Sequence, residues 1–406
     1  MRRFMNPEDW PPATFTAQFR GAPTAPGAHR LGVHERTLAF KLTKAVSRVP
    51  LIGPRLGAGR SSEEPEVERI VRAPLYRRIE ALRSSRIYDR LWRRGIRREP
   101  RTPVGLDVDG ALAYLRSIPF QELQRRGWHL QPNHYYWPLN DIEFLREHPG
   151  LWHDRGLPAG IDWDLDAQLA FARELAASYG ELADVAERPA AVDMSSEITF
   201  VNGSFSGADA CAYYGLVRKL EPRQVVEIGG GWSTIFLAHA LGRNEPPAAV
   251  TLIEPEPDHR LLARIPSDWD IHRSLLQFAD LSLFEQLRAG DICFYDGSHV
   301  ARTGSDVNWF FFEVLPRLAP GVMVHVHDIY WPDDYHDQWI YGDGLSWNEQ
   351  YVLQAFLMHN QAYRVRLANH LLCRVRGDEV QAIYPAWPDG GSVWMEKTAT
   401  THLPAP

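Results

Sequence analysis

The sequence predicts an α/β protein with a doubly wound, mostly parallel sheet, preceded by an N-terminal helical unit and a basic N-terminal arm. Two observations predict the sheet: from about Asp209 short β-rich runs alternate with helical patterns, and the first run leads into three glycines. A third observation, the uneven distribution of charge along the chain, predicts the basic arm. Residues 1–100 contain 21 Lys and Arg against 10 Asp and Glu, whereas the remainder contains 23 against 41. The net charge of −7 therefore conceals two parts of opposite sign.

The composition excludes several classes of protein. Of the 406 residues, 45% are hydrophobic and 23% are charged, which rules out a disordered chain, a collagen and a disulfide scaffold. Cys211, Cys293 and Cys373 are far apart and form no metal-binding pattern, so we expect reduced thiols. No apolar run approaches the roughly 20 residues that span a bilayer, and the start lacks the apolar segment of a signal peptide. We therefore expect a cytoplasmic protein.

The first predicted segment, residues 1–101, is a basic and partly flexible arm that contains one amphipathic helix. Apolar residues recur at three- and four-residue steps from Glu66 to Arg98, and arginines fill much of the other face. Residues 66–101 could dock a partner protein, contact an anionic membrane surface, or contact nucleic acid. A helix packed on the acidic part of its own chain is the remaining alternative.

The second predicted segment, residues 102–195, is a helical unit that would cap the sheet domain. Helices are predicted at Gly110–Ile118 and Asp164–Leu182, with Asp162 or Asp164 as the N-cap of the latter. The polar stretch Ala191–Glu197 is the predicted joint to the next domain.

The third predicted segment is an α/β domain at residues 196–397, followed by a tail at 398–406. The predicted strands are Val225–Ile228, Val250–Glu254, Ile271–Ser274, Ile292–Tyr295, Val322–Val326, Tyr363–Ala368 and Ser392–Glu396, the last two as an antiparallel edge pair. The predicted helices are Trp232–Leu241, Pro257–Ile265, Leu281–Leu287, Asp306–Leu315 and Trp347–Met358. Alternation of this kind is typical of a parallel sheet covered on both faces.

A glycine turn, Gly229, Gly230 and Gly231, follows the first strand of this domain and precedes a helix. Glycines at this position let the backbone approach a ligand closely, at the edge where doubly wound sheets bind nucleotides. Glu254 ends the second strand, where a carboxylate can accept hydrogen bonds from both ribose hydroxyls. The pattern departs from GxGxxG, so the turn alone does not identify the ligand.

These residues resemble the class I S-adenosylmethionine-dependent methyltransferases over roughly residues 197–397. The likeness lies in Glu227-x-Gly229-x-Gly231, in Glu254 and in Asp296. Within that superfamily, four further motifs resemble a bacterial branch near the macrocin-type O-methyltransferases: Asp296–His299, Gly304–Asn308, His325–Asp328 and Trp347–Gln350.

The resemblance implies a role for each matching residue in binding S-adenosylmethionine. It assigns the methionine part to Glu227, Gly229, Gly230 and Gly231, the ribose to Glu254, and the adenine edge to the loop containing Asp280. Ser233 is a further predicted cofactor-binding residue. A dinucleotide-binding domain shares the first two features, and a purely structural α/β domain is a further alternative.

Candidate catalytic residues follow the fourth and fifth strands. His299 could accept the proton of a methyl acceptor, with Asp296 beside it, because an imidazole titrates near neutral pH. Asp296, His327 and Asp328 could hold a divalent metal ion that lowers the pKa of the acceptor hydroxyl. His327 stands where relatives that use magnesium have an oxygen donor, and an imidazole favours a softer metal. Alternatively, the two aspartates only cap turns and the histidines only fill the sheet end.

The sequence thus predicts an S-adenosylmethionine-dependent O-methyltransferase acting on a small hydroxylated acceptor, a sugar or a secondary metabolite. The acidic catalytic half argues against a nucleic acid bound at the core, because phosphates would be repelled. The alternative is a non-catalytic binding or scaffold protein that retains the cofactor fold and uses its basic arm to engage a partner or a membrane. The sequence leaves the oligomeric state open.

Overall fold

The computed structural model describes residues 107–400, apart from 132, 154, 183–184, 190–197, 206 and 385–388. The predicted arm, the joint at Ala191–Glu197 and most of the predicted tail lie outside the described residues. The described part of the chain belongs to two units, which comprise residues 107–141 and residues 142–400.

The first unit contains helices α1, Val108–Ser117, and α2, Phe120–Arg125. Asp107 caps α1, because its side chain accepts a hydrogen bond of 3.0 Å from the backbone N–H of Gly110. The sequence prediction of a helix at Gly110–Ile118 is confirmed with a shift of one to two residues.

The second unit is built around a seven-stranded sheet that contains five parallel strands and an antiparallel pair. A separate parallel pair consists of β1, Ala186–Pro189, and β2, Thr199–Val201. The sheet strands are β3 Gln224–Ile228, β4 Ala249–Ile253, β5 Asp270–His272, β6 Ile292–Tyr295, β7 Met323–Val326, β8 Tyr363–Ala368 and β9 Val393–Lys397. Their order is β5-β4-β3-β6-β7-β9-β8. This is the predicted doubly wound, Rossmann-like arrangement, and the predicted antiparallel edge pair is confirmed.

The strand order reverses next to β3, because the chain moves outward through β4 and β5 and then returns to β6 on the other side. β3 pairs in parallel with both β4 and β6, so the carboxyl ends of these three strands lie at one edge. Crevices at such a reversal are where doubly wound sheets bind ligands. Most candidate residues follow the carboxyl ends of these strands or of β7, whereas Glu227 lies within β3 and Asp280 follows β5.

Helices cover both faces of the sheet. The helices of this unit are α3 Ile142–Glu147, α4 Leu165–Leu175, α5 Ala208–Leu220, α6 Trp232–Leu241, α7 His259–Leu262, α8 Ser282–Glu285, α9 Asp306–Trp309, α10 Leu315–Arg317, α11 Glu349–Leu357, α12 Asn369–Val375 and α13 Gly377–Ile383, and those that pack on the sheet are α4 to α13. A π-helical segment, Phe310–Val314, joins α9 to α10. Val225 and Val226 are neighbours in β3 and lie in different hydrophobic clusters, one on each face of the sheet. Val225 packs with α5 and α6, and Val226 packs with α9, α10 and α11. Both faces are therefore buried, as in parallel sheets generally.

The helix at α4 begins at one of the two predicted caps, because Asp164 accepts a hydrogen bond of 3.1 Å from the N–H of Ala167. Its buried Gln168 accepts a hydrogen bond of 2.9 Å from the N–H of Ala368, which ends β8. The predicted helical unit and the sheet are thus joined by a buried hydrogen bond. Among the described residues, no helix combines the length and apolar character needed to cross a bilayer. The three cysteines are free thiols, as predicted, although Cys373 is partly exposed.

Candidate active site

A glycine turn follows β3 and touches the end of β6. Gly229 has a φ of +84°, which glycine adopts without strain. A Cβ atom at Gly229 would also collide with the backbone carbonyl oxygen of Asp296, the residue after β6. At Gly231, by contrast, a Cβ atom would meet no described atom within 4 Å. The turn therefore needs glycine where two strand ends meet, and it leaves open space that a ligand could fill.

All three glycine N–H groups already have partners within the protein. The acceptors are the Ile253 carbonyl for Gly229 at 3.0 Å, Glu254 Oε2 for Gly230 at 3.1 Å, and Thr234 Oγ1 for Gly231 at 3.0 Å. A turn that binds pyrophosphate presents such N–H groups to the ligand. These three N–H groups are not available for that role.

Glu254 lies directly after β4, at the predicted position. Its Oε2 accepts from Gly230, and its Oε1 accepts a hydrogen bond of 2.9 Å from the N–H of Glu256. The side chain is partly exposed. These contacts fix the carboxylate beside the glycine turn, where each oxygen retains capacity for a further hydrogen bond.

Glu227 lies beneath the turn and is fully buried. Its Oε1 accepts hydrogen bonds from Ser233 Oγ at 2.7 Å and Thr234 Oγ1 at 2.8 Å, and Tyr213 donates to Oε2 at 3.4 Å. Burial raises the pKa of Glu227 to about 7, against the lowering effect of these donors. The predicted cofactor residues Glu227 and Ser233 thus bind each other and hold the start of α6 to β3.

Asp280, predicted at the adenine edge, follows the short helical turn Leu276–Phe278. Its Oδ1 accepts a hydrogen bond of 2.9 Å from the N–H of Ser282, and this bond lowers the pKa of the carboxyl. Asp280 is exposed, and Phe278 beside it exposes 78% of its surface. The loop therefore presents an unusually exposed aromatic ring at the same edge of the sheet.

Asp296, His299 and Asp328 form a cluster at the ends of β6 and β7. His299 Nε2 lies 3.4 Å from Asp296 Oδ1 and 3.5 Å from Asp328 Oδ2. His299 and Asp328 both have left-handed backbones, with φ of 60° and 57°. Such conformations are costly outside glycine and concentrate at functional sites, where the surrounding structure holds them in place. The structure thus brings together three residues that the sequence singled out.

The carboxylates determine the charge of this cluster. Burial alone would lower the pKa of His299, but hydrogen bonds to Asp296 and Glu349 and the charge of Asp328 raise it well above its ordinary value. Burial likewise opposes ionisation of Asp296, but the charges of His327 and His299 outweigh it and lower the pKa to about 2. The cluster therefore favours an ionised carboxylate beside a positive charge.

His327, predicted as a metal ligand, contacts one member of this cluster, with its Nε2 3.7 Å from Asp328 Oδ1, but it is not one of the three residues whose ligand atoms come together. The backbone N–H of His327 donates to the Tyr295 carbonyl at 3.2 Å, and this hydrogen bond continues the pairing of β6 with β7 by one residue. Since side chains alternate along a strand, His327 shares the face of His325 and its ring lies 5.5 Å from that ring. Its Nδ1 lies 3.4 Å from Ser392 Oγ. The observed donor set therefore contains His299 where the prediction had His327.

Among the described residues, Asp296 accepts no hydrogen bond from a backbone N–H of the turn that follows it. Asp306, not Asp296, accepts from the N–H of Ser298 at 2.7 Å and from Tyr295 OH at 3.0 Å. Asp328 accepts from Tyr330 OH at 2.8 Å. The turn-capping alternative is therefore wrong for Asp296, and its carboxylate faces His299.

Glu349 and Trp347 complete the surroundings of His299, a role that the sequence alone did not indicate for either residue. Glu349 Oε2 lies 2.8 Å from His299 Nδ1, and its side chain is 1% exposed. The Trp347 ring lies 4.2 Å from the imidazole, centroid to centroid. Both residues belong to the motif Trp347–Gln350, but a position 50 residues from His299 gives no local indication of contact.

The donors of the cluster suit a divalent cation. Asp296, His299 and Asp328 each offer one ligand atom, and these atoms lie within 4.8 Å of one another. Two carboxylates with one imidazole suit Mn²⁺, Fe²⁺ or Zn²⁺, and carboxylates alone would suit Mg²⁺. The residues therefore fit a metal ion.

Comparison with known proteins assigns a family to the domain that holds these residues. Residues 226–329 match the family described as "Methyltransferase domain". The matched range includes the glycine turn, Glu254 and the Asp296–His299–Asp328 cluster. A protein of Archaeoglobus fulgidus without an assigned function is 30% identical over 167 residues, which cover 38% of this chain and 72% of that protein.

Two solved structures also resemble the chain. The SAH-bound methyltransferase PaMTH1 of Podospora anserina is 12% identical with a TM-score of 0.30, over 66% of this chain and all of that one. A putative O-methyltransferase of Klebsiella pneumoniae is 13% identical with a TM-score of 0.26, over 57% of this chain and 90% of that one. Scores this low do not establish a common fold. Residues 226–329 of the chain match the methyltransferase-domain family, and the chain belongs to the same family as the Archaeoglobus protein.

Proposed function

We propose that this protein transfers a methyl group from S-adenosylmethionine to a hydroxyl oxygen of a small acceptor, a sugar or a secondary metabolite. One observation carries the proposal: the backbone of Asp296 contacts Gly229, so the glycine turn lies next to the Asp296–His299–Asp328 cluster. A methyl donor bound at the turn and an acceptor bound at the cluster would therefore meet. Proximity of this kind is the main requirement of an in-line displacement.

The glycine turn supports S-adenosylmethionine over a dinucleotide. A dinucleotide would need free N–H groups for its pyrophosphate, and those of Gly229, Gly230 and Gly231 are already hydrogen-bonded. S-adenosylmethionine contains no phosphate, so it needs only close approach to the turn and a ribose acceptor. Glu254 is positioned to be that acceptor.

S-adenosylmethionine, when bound, supplies a methyl group on a cationic sulfur, which an oxygen atom can attack in line. The chain must orient the acceptor hydroxyl and remove its proton. Trp347, packed on the His299 ring, provides an apolar surface against which the acceptor can be aligned. Asp296 and Asp328 provide carboxylates that can accept hydrogen bonds from acceptor hydroxyls.

Asp296, His299 and Asp328 would hold a divalent cation, whose charge lowers the pKa of a bound hydroxyl. The geometry supports this role because His299 Nε2 faces both carboxylates. The same carboxylates favour a protonated His299 when no cation is bound, and a protonated imidazole cannot accept a proton. We therefore assign His299 to the cation-binding set rather than to the role of a free base.

The test combines binding with turnover. Calorimetry with S-adenosylhomocysteine should give a micromolar dissociation constant, and radiolabelled S-adenosylmethionine should transfer its methyl group to a member of a panel of hydroxylated sugars and phenols. Transfer to a nitrogen or carbon acceptor would contradict O-methylation. Failure of the folded protein to bind S-adenosylhomocysteine would overturn the whole proposal in favour of a non-catalytic scaffold.

A further inference from the structure

Three consecutive residues at the start of α11 hold two segments of the candidate active site. Asn348 Oδ1 accepts a hydrogen bond of 2.6 Å from the N–H of Ala301, and its Nδ2 donates to the Ala301 carbonyl at 3.3 Å. Gln350 Oε1 accepts a hydrogen bond of 2.6 Å from the N–H of Tyr330, and its Nε2 donates to the Asp333 carbonyl at 3.0 Å. Between them, Glu349 contacts His299. One helix end therefore ties the segment after β6 to the segment after β7.

The backbone of His299 is fixed by the same helix end. Its carbonyl oxygen accepts hydrogen bonds from the N–H groups of Asn348 at 3.0 Å and Glu349 at 3.2 Å. N–H groups in the first turn of a helix need such acceptors, because no preceding turn supplies them. This helps to hold His299 in its left-handed conformation, with φ of 60°.

The imidazole ring has two different sides. Nδ1 lies 2.8 Å from Glu349 Oε2, and Nε2 lies between Asp296 and Asp328 at 3.4 and 3.5 Å. When Glu349 is ionised its carboxylate can only accept, so Nδ1 then donates the proton of this hydrogen bond. Nε2 is then the nitrogen presented to the cluster.

We infer that Glu349 is a positioning residue: its buried carboxylate binds His299 Nδ1 and thereby directs Nε2 toward Asp296 and Asp328. Glu349 contacts neither of these aspartates in the hydrogen bonds described, so it acts on the site through His299. Its other oxygen, Oε1, is buried and has no hydrogen-bond partner among the described residues. A buried carboxylate with an unsatisfied oxygen is costly, and this cost is explained by a requirement for the orientation of His299. The inference rests on the proposed function for its kinetic readout but not for its spectroscopic one.

The decisive variants are Glu349→Leu, which removes the acceptor at similar volume, and Glu349→Gln, which keeps a neutral acceptor. Proton NMR of the full chain with ¹⁵N-labelled histidine should show a far-downfield Nδ1 proton for His299 in the wild type, assigned by its loss in His299→Asn. This resonance should vanish in Glu349→Leu. In Glu349→Gln it should remain and move upfield, because a hydrogen bond to a neutral acceptor is weaker.

Turnover provides a second readout that a general loss of structure would not mimic. In Glu349→Leu we expect kcat to fall at least about tenfold, as for other residues that orient a ligand, with the KM for S-adenosylmethionine unchanged. Glu349→Gln should restore most of this loss. Glu143→Leu, at the exposed first turn of α3, is the matched control and should change neither readout.

A resonance that persists in Glu349→Leu would overturn the inference, as would equal loss of kcat in the Leu and Gln variants. If Glu349→Leu does not fold, the Gln variant decides, because an unmoved resonance would show that another group accepts the proton. If the protein methylates no acceptor, the proposed function fails but the NMR result still decides the role of Glu349.

Discussion

Glu254 tests the cofactor assignment at the scale of one residue. Its carboxylate would lose two charge-assisted hydrogen bonds to ribose in Glu254→Ala, so we expect S-adenosylhomocysteine affinity to fall by roughly 1.5–3 kcal/mol. Calorimetry measures this loss directly. Glu256→Ala is the control, because Glu256 is exposed and contacts Glu254 only through its backbone N–H. Unchanged affinity in a folded Glu254→Ala protein would exclude Glu254 as the ribose ligand.

A second residue-scale prediction separates cation binding from base catalysis. If Asp296, His299 and Asp328 hold a cation, EDTA should abolish methyl transfer, and added Mn²⁺, Mg²⁺ or a softer divalent metal should restore it. Asp328→Ala should have the same effect as EDTA. The chelator experiment is needed because loss of Asp328 also changes the charge around His299, whose Nε2 lies 3.5 Å away.

The opposite outcome would assign His299 as a metal-free base. EDTA would then leave the wild type unchanged, while His299→Ala would reduce turnover roughly a hundredfold or more with little change in cofactor affinity. Full activity in both His299→Ala and Asp328→Ala would remove this edge of the sheet from the mechanism.

At the scale of elements, strands were predicted more closely than helices. β6 and β8 have the predicted bounds, and β3 differs by one residue, because continuous β-branched and aromatic runs identify buried strands. Helix α5 was missed, since ten of its residues, Ala208–Val217, are buried and leave no amphipathic pattern. Helices α12 and α13 and the strands β1 and β2 were also missed. The helices predicted at Pro257–Ile265 and Leu281–Leu287 are observed as α7 and α8, which are only four residues long each.

Candidate-site residues that directly follow a strand could be predicted from the local sequence. Contacts between segments that are distant in the sequence could not. The glycine turn and Asp296 follow strands directly, so their neighbourhood follows from the strand order. The choice between His299 and His327 depends on which way each ring points, and this depends on a strand continuing one residue past Val326. Glu349 reaches His299 only through tertiary packing.

A buried lysine supplies a prediction about how the elements are held together. Lys397, the last residue of β9, has no exposed surface, and its Nζ donates to the carbonyls of Leu315 and Pro316 at 2.9 Å each. These carbonyls belong to α10, so the lysine ties this helix to the sheet. Lys397→Met would remove one donor from each carbonyl, and the Leu315 carbonyl would keep its hydrogen bond from the Tyr363 hydroxyl. The substitution should lower the free energy of unfolding by about 1–2 kcal/mol, as measured by denaturant titration.

The pH dependence of stability gives a second test of Lys397. Burial lowers its pKa to about 8, below the 10.5 of an exposed lysine. Between these values the unfolded chain binds more protons than the folded protein, so this group makes the free energy of unfolding rise with pH across that window. The rise should be absent in Lys397→Met and present in Lys219→Met, which removes an exposed lysine paired with Glu174. A rise retained in Lys397→Met would exclude Lys397 as its source.

At the scale of the whole molecule, the charge asymmetry separates the basic residues 1–100 from the acidic remainder. Among the described residues, the buried apolar clusters consist of residues from Trp152 onward. The sheet and every candidate site residue also follow residue 196. The cofactor site therefore depends on a part of the chain that does not include the predicted arm.

A chain beginning at Thr102 should consequently fold and bind S-adenosylhomocysteine as the full chain does. We expect equal affinity by calorimetry and a thermal midpoint within about 2 °C, since the described sheet and its helices lie wholly beyond residue 101. Aggregation of the shortened chain, or loss of its cofactor binding, would show that residues 1–101 pack on the acidic half instead.

If the shortened chain is intact, the predicted contact of residues 66–101 can be measured separately. If that contact is with an anionic membrane surface, anionic vesicles should bind the full chain, release it as salt is raised, and not bind the shortened chain, because basic residues near a charged bilayer each contribute a screened attraction.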